Sequence, residues 1–297
     1  MSNPLAVAKL GVSGRYKLTA KNVDNGSERT VAEFPNLITN LGLDMLATVS
    51  EDWTHYYGIL YTCVVGSGNT TPSNSDTKLS SEVAVTTSIN ADTTINTAEN
   101  YLSVIKRWGF SQGAAAGNLA EIGVGTDSEN LFSRALIRDP DGNPTALSVQ
   151  SNEVLTVTYE LRIHIPTADT ASTVDGYALV LRAAGATSTI YWKGNQFRLH
   201  TDSFVYDGDM GDRTTIPWSD NDKRSSSLAN DAYIAGSFSR TGRVQWDPSR
   251  GNTTIKTIVF QFGCGYFQFS VDPPIVKTNE HELTVDVALV WGREGEL

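Results

Sequence analysis

The stretch Val154-Leu155-Thr156-Val157-Thr158-Tyr159-Glu160-Leu161-Arg162-Ile163-His164-Ile165 decides the fold class. Leu155, Val157, Tyr159, Leu161, Ile163 and Ile165 fall on one side of an extended chain; Thr156, Thr158, Glu160, Arg162 and His164 fall on the other. A β-strand turns successive side chains to opposite faces, so this alternation predicts a strand with one face in a core. The run from Glu282 to Arg293 reads the same way, with Leu283, Val285, Val287, Leu289 and Trp291 together and only Ala288 and Val290 softening the polar side.

Outward from these two runs, further strands are predicted at Arg15–Lys21, Gly58–Val65, Leu102–Phe110, Leu119–Gly123, Phe132–Ile137, Tyr177–Arg182, Thr189–Trp192, Tyr233–Phe238, Lys256–Phe262 and Tyr266–Val271. Most are rich in β-branched and aromatic residues and flanked by Gly, Asn, Asp, Ser or Pro. Asp139-Pro140-Asp141-Gly142-Asn143-Pro144 reads as a turn. Helix is expected at Asn40–Val49, capped by Thr39 or Asn40, and in a second short piece at Ser73–Val83. Val85–Asn100 and Asp207–Asp231 are polar and rich in small residues, and are predicted to be long surface loops. The expected fold is therefore all-β: one or two antiparallel β-sandwich domains, jelly-roll or Ig-like, with one or two short helices. A boundary near Pro166–Asp175 would separate an N-terminal sandwich, 1–167, from a C-terminal β-rich region, 168–297. The second region is either a domain packed on the first or the closing half of the same sandwich. An internal echo, in which Ser151–Val157 resembles Thr278–Val285, suits both arrangements.

The chain has 297 residues and a formal charge of −10, which argues against a general nucleic-acid binder, since phosphates call for a basic surface. The first residues show no basic region followed by a sustained apolar run, and no segment has the apolar length of a bilayer span, so neither a signal peptide nor a membrane span is expected. Cys63 and Cys264 are read as buried small hydrophobes, a single bridge between them staying open, with synthesis in a reducing cytoplasm.

Gly-x-Ser-x-Gly, P-loop, His-Glu-x-x-His and Cys-x-x-Cys patterns do not occur, and His55, His164, His200 and His281 are not at helical metal-ligand spacing. No enzyme activity, catalytic residue or bound cofactor is expected. The most chemically suggestive segment is Asp207-Gly208-Asp209-Met210-Gly211-Asp212. Asp207, Asp209 and Asp212 could offer oxygen ligands to Ca²⁺, although the spacing is not that of an EF-hand and the plainer account is an acidic solvated loop. Trp192, Trp218 and Trp246 are read either as exposed rings that stack on sugars or as core and interface residues. Gly66-Ser67-Gly68-Asn69 reads as a sharp turn leaving a buried strand, and Glu121, in an apolar strand, is expected to pair with Arg134 or Arg107.

Six phrases occur in an order that resembles a family of tailed-bacteriophage virion structural proteins, known as tail fibre, collar or neck–tail proteins. They are Phe34–Asp44 (FPNLITNLGLD), Val64–Pro72 (VVGSGNTTP), Trp108–Gly125 (WGFSQGAAAGNLAEIGVG), Leu131–Ile137 (LFSRALI), Glu153–Arg162 (EVLTVTYELR) and Phe269–Lys277 (FSVDPPIVK). The resemblance covers the first half and the end, and leaves the region from Ala168 to Asn252 unmatched. It implies a non-enzymatic particle component located in the virion, with copies of itself and other tail or neck proteins as partners. The alternative is an adhesin module that binds a carbohydrate of the host surface.

Overall fold

The computed structural model describes residues 6–48, 58–87, 90–96, 100–184, 197–199, 203–214, 221–262 and 265–296. The chain is nearly all β, built of several antiparallel sheets, with one α-helix among the described residues. It divides into two compact units. One comprises Val12–Thr94 and Leu102–Ile163; the other comprises Met1–Gly11, Ile95–Tyr101 and His164–Leu297.

The first unit is built from β1 (Ala6–Asn22) from Val12 onward, β2 (Glu28–Pro35), β3 (Leu37–Ile38), α1 (Asn40–Thr48), β4 (Thr62–Gly66), β5 (Glu82–Thr87), most of β6 (Asn90–Asn96) and of β7 (Tyr101–Gly109), β8 (Gly117–Leu119), β9 (Glu121–Gly125), β10 (Leu131–Leu136), β11 (Leu147–Val149) and β12 (Glu153–His164) up to Ile163. Its sheets run β2-β1-β12-β7-β6 and β3-β10-β9-β4-β5, with the pair β11-β8 apart. The alternation that opened the sequence is obeyed along all of β12, where buried and half-buried positions alternate for twelve residues. Tyr16 of β1 and Tyr159 of β12 are fully buried, their rings 4.8 Å apart, and the Tyr16 hydroxyl meets Ser133 Oγ of the other sheet at 2.7 Å. Thr39 caps α1: its Oγ1 accepts the Gly42 N–H at 2.8 Å, and Leu43, Met45, Leu46 and Ala47 are buried where the helix packs on β10.

The second unit contains β13 (Thr170–Val174), β14 (Tyr177–Ala183), β15 (Phe204–Tyr206), β16 (Ser227–Asn230), β17 (Ser239–Trp246), β18 (Thr254–Phe262), β19 (Gly265–Val276) and β20 (Leu283–Arg293). One sheet runs β13-β14-β19-β18-β15, and the ladder β16-β17-β20 pairs onward with β1, whose first residues, up to Gly11, belong to this unit. Its core is aromatic: Phe197, Phe204, Trp246, Phe260, Phe262, Phe267, Phe269 and Trp291 are all at most 2% exposed.

Five expectations are corrected. Asp207–Asp231 is not one loop: Ser227–Asn230 forms β16 and pairs with β17. Ser73–Val83 is not a helix. Its serines and Asp76 bond locally, the Asp76 carboxylate taking the Ser73 N–H, and the Ser80 and Ser81 N–H groups go to Glu121. Val85–Asn100 is not one loop. β5 and β6 occupy much of it, because Thr and Val suit a pleated, half-solvated strand despite the polar composition. Tyr233–Phe238 is not a strand: the chain turns there, with Phe238 at φ +47°, and the Tyr233 ring stacks on Trp291 at 5.7 Å. Leu119–Gly123 is split at Ala120 between β8 and β9. The predicted strand Thr189–Trp192 lies outside the described residues. Cys63 is a buried free thiol, which removes the single-bridge alternative, and burial pushes it well above the ordinary thiol range; Cys264 lies outside the described residues. No helix of the described residues is long and apolar enough to cross a membrane.

Candidate functional site

The acidic loop at 207–212 follows the short strand β15 and is laid over the polar face of the sheet β14-β19-β18. Three side chains of that face hold its backbone. Gln268, fully buried on β19, accepts the Gly211 N–H at 2.8 Å and turns its amide NH₂ to the Asp212 carbonyl at 3.2 Å. Arg182 of β14 donates to the Gly211 carbonyl at 2.8 Å, and Thr257 of β18 donates to the Gly208 carbonyl at 2.9 Å. The loop is fixed by its main chain, which leaves the carboxylates to find separate partners.

They do not converge. Asp207 pairs with Lys223 at 3.2 Å, which holds its carboxyl below the usual range. Asp209 is 93% exposed and lies 3.9 Å from Lys256. Asp212 accepts the Thr214 N–H and hydroxyl, each at 2.8 Å, closing a local turn. Among the described residues no group of three His, Cys, Asp or Glu side chains is placed to hold a metal ion.

Beside the loop stands a clamp that the sequence did not announce. Asp169, just before β13, is bound by the Arg182 guanidinium at 2.6 Å and by Arg213 at 2.8 Å. Arg213 also donates to the Pro166 and Ala183 carbonyls. The Arg182 hydrogen bond holds the Asp169 carboxyl low against the opposing effect of burial, and the charges of Arg182 and Arg213 add to it. An open recess of about 410 Å³ next to the loop is lined by Asp209, Met210, Lys256, Ser270, Asp272 and Pro274.

The first unit carries the second polar centre. Glu121 of β9 is fully buried and pairs with Arg134 of β10 at 2.7 Å, as expected; the alternative partner Arg107 is not the one selected. Its carboxylate also accepts N–H groups from Gly68, Ser80 and Ser81 and the Ser80 hydroxyl. Arg134 spends its remaining donors on Asp76 and the Thr70 carbonyl. Gly68 carries no side chain for a steric reason: a Cβ there would collide with Ser80 Oγ and the Glu121 carboxylate. Burial pushes the Glu121 carboxyl up, but the Ser81 and Ser80 amides, Arg134 and the Ser80 hydroxyl together bring it below the ordinary value. A cavity of about 430 Å³ opens beside it, between Asn36, Leu37, Pro72, Leu136 and Arg138.

Both centres are internally neutralised and tie loops to sheets. Exposed backbone is left at sheet edges instead. β13 ends its sheet with Thr170, Ala171, Ser172 and Thr173 all exposed. β5 ends another with Val83 and Val85 at 41% and 50% exposure. Of the aromatics read as sugar platforms, Trp246 is fully buried and donates its indole N–H to the Lys223 carbonyl, so it is a core residue. Trp192 and Trp218 lie outside the described residues, as do His55 and His200. His164 packs its ring 5.5 Å from Tyr101, and His281 meets Thr278 Oγ1 at 3.1 Å. No family model, curated protein or solved structure matches the chain.

Proposed function

We propose that the chain is a non-enzymatic structural component of a tailed-phage particle, an oligomer in the neck or tail with a collar, fibre-anchoring or short-fibre role. The observation that carries this reading is the disposition of charge. Each buried or half-buried carboxylate described above is matched by an arginine, a lysine or backbone N–H groups of the same chain, and acts to fasten a loop to a sheet. What remains available is strand edge, the part of a β protein that other chains add to most readily. The ordered phrases that resemble those of virion structural proteins are in keeping with this reading, and symmetric self-assembly is the usual outcome for such chains.

Native mass measurement of the purified full chain, paired with sedimentation of phage particles, tests the reading. A defined oligomer and co-sedimentation with particles are expected. A chain that stays monomeric at high concentration and never accompanies particles would overturn it.

A further inference from the structure

We infer that the edge strand β13 is a self-docking surface, on which a second copy of this chain adds its own β13 antiparallel, Ser172 facing Ser172 at a two-fold axis. The inference rests on the assembly reading above and names the surface through which assembly proceeds.

The hairpin fixes which backbone groups are on offer. β13 and β14 are joined by Asp175 and Gly176 alone, at φ +50° and +85°, which is a type I′ turn. In such a hairpin the closing pair, here Val174 with Tyr177, is hydrogen-bonded across the ladder. Alternation then turns the N–H and C=O groups of Ser172 and Thr170 toward β14, and those of Ala171 and Thr173 outward. β14 is flanked on its other side by β19, so β13 is the end strand of this sheet among the described residues. Among the described residues the strand Thr-Ala-Ser-Thr-Val, short as it is, has no proline, no lysine and no bulge in its register.

The outward groups suit a copy of themselves. With the axis at Ser172, Ala171 of one chain stands opposite Thr173 of the other as a hydrogen-bonded pair, and the reverse holds on the far side of the axis. The two Ser172 residues form the intervening non-bonded pair, with Cα atoms about 4.5 Å apart. Small Ser172 lies at the centre, and Thr170 meets the partner's Val174. The flanking charges do not oppose this pairing. Asp169 would face the partner's Asp175, and two bare carboxylates there would repel. Asp169, however, is neutralised between Arg182 and Arg213, and Asp212 also acts on Arg182, so the recess that meets the partner's Asp175 is balanced. A five-residue ladder is small against the roughly 1,200–2,000 Å² of a stable interface, so covalent capture is the suitable readout.

The test uses full-length chains carrying Ser172→Cys or Thr170→Cys, mildly oxidised and run without reductant, with the unsubstituted chain setting the background. Ser172→Cys should trap a disulfide dimer about 10-fold faster than Thr170→Cys, because only the first places two thiols within bonding distance. Ser172→Lys, which sets two ammonium groups face to face, should weaken self-association of a chain whose circular dichroism is unchanged. An oligomer that forms without selective trapping at Ser172, and is indifferent to Ser172→Lys, overturns the β13 assignment while the assembly reading stands. A chain that is monomeric at every concentration overturns both.

Discussion

Glu121 sits at 0% exposure in an apolar strand, a position that requires compensation of its charge. The sequence narrowed the partner to two arginines, and register chose between them: β9 and β10 pair so that Arg134 lies opposite Gly123, two residues from Glu121. The rest of the centre, namely Asp76 and the N–H groups of Ser80 and Ser81, was not legible because it comes from a segment some forty residues upstream that reads as helix by composition. Glu121→Ala strands a buried guanidinium and should cost about 3–5 kcal/mol in denaturant unfolding. Glu121→Gln isolates the charge. The folded carboxyl lies below its ordinary value, so its stabilisation is complete at neutral pH and is lost as pH falls through the folded value. The unsubstituted protein should lose stability on acidification below the ordinary glutamate range, and the Gln variant should show a shallower acid slope in the same unfolding series.

Among elements, strands with apolar or clearly alternating sequence were readable, such as β4, β10, β12, β14 and β20, whereas the polar strands β2, β5, β13 and β17 were not. β12 alternates without a break, and β20 buries Val285, Val287, Leu289 and Trp291 on one face, with Ala288 and Gly292 also buried on the other. β13 and β5 lie at edges, where both faces meet water and nothing constrains the alternation. The hairpin β13–β14 nevertheless left a sign: Asp175-Gly176 between Val174 and Tyr177 is a strong turn signal for two strands, obscured because the Thr/Ala/Asp run before it read as a linker. The acidic loop was recognised as a loop, but its attachment was not, because Gln268 and Arg182 reach it from strands distant in sequence. Gln268→Leu removes the acceptor of the Gly211 N–H and leaves that group half-buried and unpaired. It should cost about 1–3 kcal/mol and raise amide exchange at residues 208–213 selectively, which hydrogen-exchange mass spectrometry would read.

For the whole molecule, the all-β class and its antiparallel sheets follow from two alternating runs, while the grouping of Met1–Gly11 and Ile95–Tyr101 with His164–Leu297 depends on which strands neighbour one another, information that no local pattern carries. The dispersed carboxylates of the acidic loop give a global expectation too. A ligand that binds the folded state raises its melting temperature. Because Asp207, Asp209 and Asp212 point to Lys223, solvent and Thr214, exchanging chelator for millimolar Ca²⁺ should move Tm by less than about 1 °C. The central claim is that this chain folds its charged chemistry inward to brace loops and presents strand edges to an assembly. Antibody-labelled electron microscopy of particles from cells producing the chain tests it most directly. Label at one fixed level of the neck or tail, repeated around the axis, is the predicted result; clean, unlabelled particles beside abundant soluble monomer would contradict it.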